Sequence, residues 1–85
     1  MVEFVHIIQD RQGLHARPAS ALAETAMKLA SSVTIHINDK TVDGKKLIAM
    51  MRLGARYGEA VRIEVEGDNE EADSKVLQDF CNKNL

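Results

Sequence analysis

The segment Gly13-Leu14-His15-Ala16-Arg17-Pro18-Ala19 sets a histidine two residues ahead of an arginine, where a polar loop gives way to a helical pattern. Imidazole is a competent nucleophile near neutral pH, where much of it is unprotonated, so His15 is a candidate phosphoryl acceptor. The first amides of a helix have no partners within it, and the macrodipole places about half a positive charge at that end, so an anion is favoured there. Ala16 and Arg17 are the available amide donors, because Pro18 has none. The Arg17 guanidinium adds a permanent charge able to hold phosphate oxygens through two parallel bonds. An N–P bond formed here is reactive, so the site would bind a phosphoryl group without protecting it from the next acceptor. That describes a carrier. The competing reading is that His15, Arg17 and Pro18 only cap a helix and face solvent, and local chemistry alone does not decide between the two.

These residues need elements to position them. Val2 to Ile8 is short, apolar and rich in β-branched residues, which predicts a strand. Its inward face is open: either Val2, Phe4 and Ile8 point inward with His6, or Val5 and Ile7 do with Glu3. From Ala16, the residues Ala19, Leu22, Ala23, Ala26, Leu29 and Ala30 recur at spacings of three and four, giving a helix that begins at or just after His15. Pro18 falls in its first turn, where a fixed φ assists initiation. Val33, Ile35 and Ile37 alternate with polar residues, and after Asn38-Asp39 a short strand from Lys40 to Val42 folds back as a hairpin. Leu47, Ile48, Met50, Met51 and Leu53 predict a short helix of about seven residues closed by Gly54. Val61, Ile63 and Val65 form a half-buried strand ended by Gly67, and a last helix carries Glu70, Glu71 and Asp73 in its first turn, with Ala72, Val76, Leu77 and Phe80 as its stripe. Cys81 lies beside that stripe, in a packing role.

The order is β-α-β-β-α-β-α, and strands that alternate cleanly imply a sheet with one wet face and helices on the other, a two-layer sandwich. A chain of 85 residues holds one domain, residues 1–85, with no room for separate substrate and cofactor domains. There is no glycine-rich phosphate loop, so nucleotide chemistry is not expected. One cysteine excludes an internal disulfide or a Cys-rich zinc site. His6 and His36 stand alone, without a second ligand at metal-binding spacing, so neither metal nor cofactor is expected. The N-terminal segment lacks the pattern of a signal peptide and no apolar run is of membrane-spanning length, so a cytoplasmic protein without membrane insertion is expected; a monomer is expected as well.

Charge is uneven. Residues 40–63 carry six basic side chains against two acidic ones, whereas residues 64–85 carry seven acidic against two basic. With one Tyr, two Phe and a net charge of −2, the chain lacks the field and the stacking platforms of a nucleic-acid binder. The basic middle suits an acidic protein surface. Leu47, Ile48 and Met51 exceed what one buried stripe needs and are candidates for an exposed patch, rimmed by Lys45, Lys46 and Arg52, with Met50 in the core. The alternative is that all are core. Partner contact is expected at Ala19 and Ser20 on the first helix and at Leu47, Ile48, Met51 and Arg52 on the second.

The run GLHARPASALAETA, with His15, Arg17, Pro18 and Ala19, resembles the active-site segment of the HPr family, the histidine-containing phosphocarriers of the phosphoenolpyruvate:sugar phosphotransferase system. NDKTVDGKKLIAMMRLGARYGEAV resembles that family's second segment. The resemblance implies an α+β fold, an open-faced sandwich whose four antiparallel strands run in the order 1-4-2-3 beneath three helices. It implies phosphorylation of His15 on Nδ1 by the phosphohistidine of enzyme I, support of the phosphoryl group by Arg17, and onward transfer to the A components of sugar permeases. Many Gram-positive members carry a kinase-modified serine where this chain has Lys46, so that regulatory branch is not expected. Two other readings stay open: a regulatory interaction module of the same fold, and a small ligand-binding sandwich that senses a metabolite.

Overall fold

In the computed structural model, which describes residues 1–85, the elements are β1 (Val2–Ile7), α1 (Ala16–Met27), β2 (Ser32–Ile37), β3 (Lys40–Asp43), α2 (Leu47–Met51), β4 (Ala60–Glu66) and α3 (Glu70–Asn84). The strands form one antiparallel sheet in the order β1-β4-β2-β3, as expected for the fold class. All three helices lie on one side. α1 packs between α2 and α3, and α3 covers β1 and β4. No helix is long and apolar enough to cross a membrane.

The open question of β1 is settled by its register. Phe4 pairs with Ile63 and His6 with Val61, so the even positions share the helix-covered face with buried Val61, Ile63 and Val65. Val5 and Ile7 are exposed on the other face, opposite Arg62 and Ala60. β2 adds Val33, Ile35 and Ile37 to the core, and α1 adds Ala19, Leu22, Ala23 and Ala26. Fully burying a large side chain such as Leu22, Ile35, Met50 or Leu77 stabilises the fold by about 1.5–3 kcal/mol.

Two expectations need correction. α2 has five residues, not seven, and buried Leu53 lies beyond its end, before Gly54 at φ 72°. α3 is rotated relative to the predicted stripe: Leu77 is buried and Phe80 half-buried, but Ala72 and Val76 are exposed, and Asp73, Ser74 and Cys81 take the inward positions. The reason is polar. Asp73 Oδ2 accepts the Ser31 hydroxyl at 2.6 Å and the Ser31 amide at 3.2 Å, all buried. A buried amide and hydroxyl require such a partner, so the α1–β2 connection turns α3 until Asp73 faces it. Residues 73, 77 and 81 then line one face by helical spacing.

Candidate functional site

The loop before α1 is fastened along its length. The amides of Gln9 and Asp10 both donate to the carbonyl of Leu85, the latter at 3.0 Å. Asp10 closes the turn twice: its Oδ1 accepts the Gln12 amide at 2.9 Å and its carbonyl accepts the Gly13 amide at 2.9 Å. Gly13 adopts φ 73°, and a Cβ there would run into the carbonyl oxygen of Ala55, so only glycine fits. Leu14 is buried and its amide donates to that same carbonyl at 2.8 Å. The chain is thus pinned up to the residue that precedes the helix.

That residue is His15, which caps α1 in an extended conformation (φ −93°, ψ −175°) and accepts the Ala19 amide on its carbonyl at 3.0 Å. Its side chain is about one-third exposed (34%). The amides of Ala16 and Arg17 donate to no group of the chain, which leaves two oriented donors at the positive end of a twelve-residue helix. Arg17 is exposed and makes no ion pair, whereas Pro18 is buried beneath it in the first turn. A hollow of about 110 Å³ is lined by Asp10, His15, Arg17, Pro18, Ala21 and Asn84. Asp10 Oδ2 lies 3.4 Å from His15 Nε2. A nucleophilic ring, two free amides and an unpaired guanidinium can together receive an anionic group from solvent and release it again.

Residues 2–83 match the family described as the PTS HPr component phosphorylation site. The chain belongs to the HPr family. The phosphocarrier protein HPr of Mycoplasma capricolum subsp. capricolum is 39% identical over 69 residues, covering 81% of this chain and 78% of that one. HPr of Neisseria meningitidis serogroup A is 33% identical over 75 residues, covering 88% and 84%. The crystal structure of HPr-C-His from Thermoanaerobacter tengcongensis superposes with a TM-score of 0.91 at 36% identity, covering 99% of this chain and 94% of the other. As an HPr family member, the chain is a phosphocarrier of the phosphotransferase system.

The second half of the family pattern lies alongside. α1 and α2 run in opposite directions: Lys45, just before α2, donates from Nζ to the carbonyl of Leu29 beyond the end of α1 at 2.8 Å, while Ala55, after α2, receives Leu14. The end of α2 therefore points toward His15. Leu47, Ile48 and Met51 are exposed and Met50 is fully buried. Arg52 is exposed, and Ser20 is half-buried. Ala19 is a correction: it is completely buried in the core, so its side chain offers nothing to a partner, and its place in the α1 stripe explains the residue type.

Sequence reasoning missed Asp10 and Asn84. Asp10 lay in a segment read only as a polar loop. Its signal was an Asp two residues before an amide it could accept and three before a glycine, the pattern of a tight Asx turn. Asn84 had no local signal, because its position depends on how α3 docks. Cys81, in contrast, is buried as expected, and desolvation pushes its thiol up to about 12.

Proposed function

We propose that the protein accepts a phosphoryl group from the phosphohistidine of enzyme I on Nδ1 of His15 and passes it to the A components of sugar permeases. It acts as a monomeric cytoplasmic carrier, a substrate and donor in a relay and not a catalyst with turnover of its own. The observation that carries this reading is His15 at the start of α1 beside two undonated amides and the unpaired Arg17 guanidinium. In transfer, the Nδ1 lone pair attacks phosphorus as the donor N–P bond breaks, and the Ala16 amide, Arg17 amide and Arg17 guanidinium take up the charge on the phosphoryl oxygens. Exposed Leu47, Ile48 and Met51, with Ser20 and Arg52 nearby, supply the docking surface, in which basic charge favours fast association with acidic partners. Lys46 at the start of α2 offers no hydroxyl for a kinase.

The test is incubation with enzyme I, Mg²⁺ and phosphoenolpyruvate, followed by intact-mass measurement at alkaline pH, where a phosphohistidine survives. One acid-labile phosphoryl group, missing from His15→Ala, is expected. Equal uptake by His15→Ala, or none by the parent protein under conditions that phosphorylate a control carrier, removes the assignment.

A further inference from the structure

The contact between Asp10 and His15 goes beyond turning the loop. We propose that Asp10 is a positioning residue that decides which nitrogen of His15 takes the phosphoryl group, its carboxylate occupying Nε2 and leaving Nδ1 as the nucleophile. This rests on the phosphocarrier reading and adds to it a residue outside the His15–Arg17 segment.

The carboxylate is aimed and held. Its Oδ1 is committed to the Gln12 amide at 2.9 Å, and the Asp10 backbone is fixed by its amide on Leu85 at 3.0 Å and its carbonyl on Gly13 at 2.9 Å. Oδ2 is left 3.4 Å from His15 Nε2, a distance from which a charged ring can be drawn into a hydrogen bond. Asn84, the other polar side chain beside Arg17 in the hollow, has its Nδ2 on the carbonyl of Phe80 at 3.0 Å. Asp10 is therefore the anionic acceptor facing the ring.

Three effects follow from one carboxylate. An ionised carboxylate accepts and never donates, so of the two tautomers of a neutral ring it favours the one with its proton on Nε2 and its lone pair on Nδ1. A phosphoryl group carries about −1.5 to −2 charges near neutral pH, so the same carboxylate repels it from Nε2. When the Nδ1 pair forms the new N–P bond and the donor nitrogen recovers the pair of the old one, the proton stays on Nε2 and the ring becomes a cation. Asp10 offsets that charge. In onward transfer the N–P pair returns to Nδ1 and the ring is neutral again.

The experiment uses potassium phosphoramidate, which phosphorylates histidine without any partner protein, and follows the intact mass while ¹⁵N–³¹P coupling locates the phosphorus. The parent protein is expected to gain one group, on Nδ1 at early times. Asp10→Asn keeps an acceptor for the Gln12 amide and so preserves the turn, and Asp10→Ala removes it. Both should react about fivefold to tenfold more slowly, the size of one solvent-screened charge contact. Both should also place part of the phosphorus on Nε2 and shift the ring ¹⁵N signals toward the Nδ1–H tautomer. Parent rates with phosphorus on Nδ1 alone in both variants would overturn the role of Asp10 and leave the carrier standing. Phosphorylation of His15→Ala at the parent rate would overturn both.

Discussion

His15 and His36 carry the same neighbours and have different prospects. Each has a carboxylate near Nε2, Asp10 at 3.4 Å and Glu64 at 2.6 Å, and each has an arginine close in the fold, Arg17 or Arg62. On the open face of the sheet the charged groups are paired with one another. Arg62 binds Glu3 at 2.8 Å and also Glu64, while His36 Nδ1 lies 3.0 Å from the Thr41 hydroxyl, a chain of contacts across all four strands. At the start of α1 the guanidinium and two amides have no internal partner. On the proposed reading, reactivity toward an anion comes from donors the fold leaves unsatisfied, not from residue types.

The largest effect should come from exchanging the two histidines in turn for alanine. His15→Ala should abolish phosphoryl uptake while costing under about 0.5 kcal/mol of stability, because a part-exposed cap without a side-chain bond has little to lose. His36→Ala should leave uptake intact. Mass measurement of both variants side by side breaks the comparison if they behave alike. Next come the arginines. Arg17→Ala should slow phosphoryl transfer by about a hundredfold, the scale of one lost donor to a developing oxyanion, with little change in the urea midpoint. Arg62→Ala should do the reverse, leaving transfer rates alone and lowering the urea midpoint slightly, as loss of an exposed ion pair does. Equal transfer rates for Arg17→Ala and the parent would remove Arg17 from the site.

Gly13→Ala tests whether the site depends on its support. A methyl group at φ 73° against the Ala55 carbonyl is strained by both conformation and contact, and a cost of about 2–4 kcal/mol is expected in urea unfolding. Folded protein should also transfer phosphate more slowly, since Leu14 and His15 must shift with the loop. A variant as stable as the parent would show that the loop is not held by this approach.

What the sequence makes legible follows from the range of the forces involved. The α1 stripe and the alternation of β4 are local periodicities, and His15, Arg17 and Pro18 are contiguous enough to be read as one site. β1 was ambiguous because both of its faces are apolar, and only its pairing with Ile63 through Phe4 decides between them. The rotation of α3 was hidden because it is set by Ser31, far away in the chain, and polar Asp73 and Ser74 do not announce burial. Asp10 had a local turn signal, but its place beside His15 also depends on Leu85, which holds its backbone from far along the chain. Ala19 misled because one alanine served both the family signature and the core stripe.

The smallest effect concerns the other nucleophile. His15 sits part-exposed at a helix start, while Cys81 is buried inside α3 with its thiol pushed up to about 12 by desolvation. In the unfolded chain the same thiol ionises near 9.0. Below that pH both states hold the proton and the shift contributes no pH dependence, so nothing is visible at neutrality. Between pH 9.0 and about 12 the unfolded chain loses its proton first, so stability must fall as pH rises, by up to about 1.4 kcal/mol per pH unit. Urea midpoints of the parent and Cys81→Ala measured from pH 8 to pH 11 (roughly the range that brackets the onset) separate this contribution from the lysines and tyrosine that both proteins share. The parent should lose stability more steeply above pH 9.0. Parallel curves would mean that the native thiol ionises as freely as the unfolded one, and that burial does not silence Cys81.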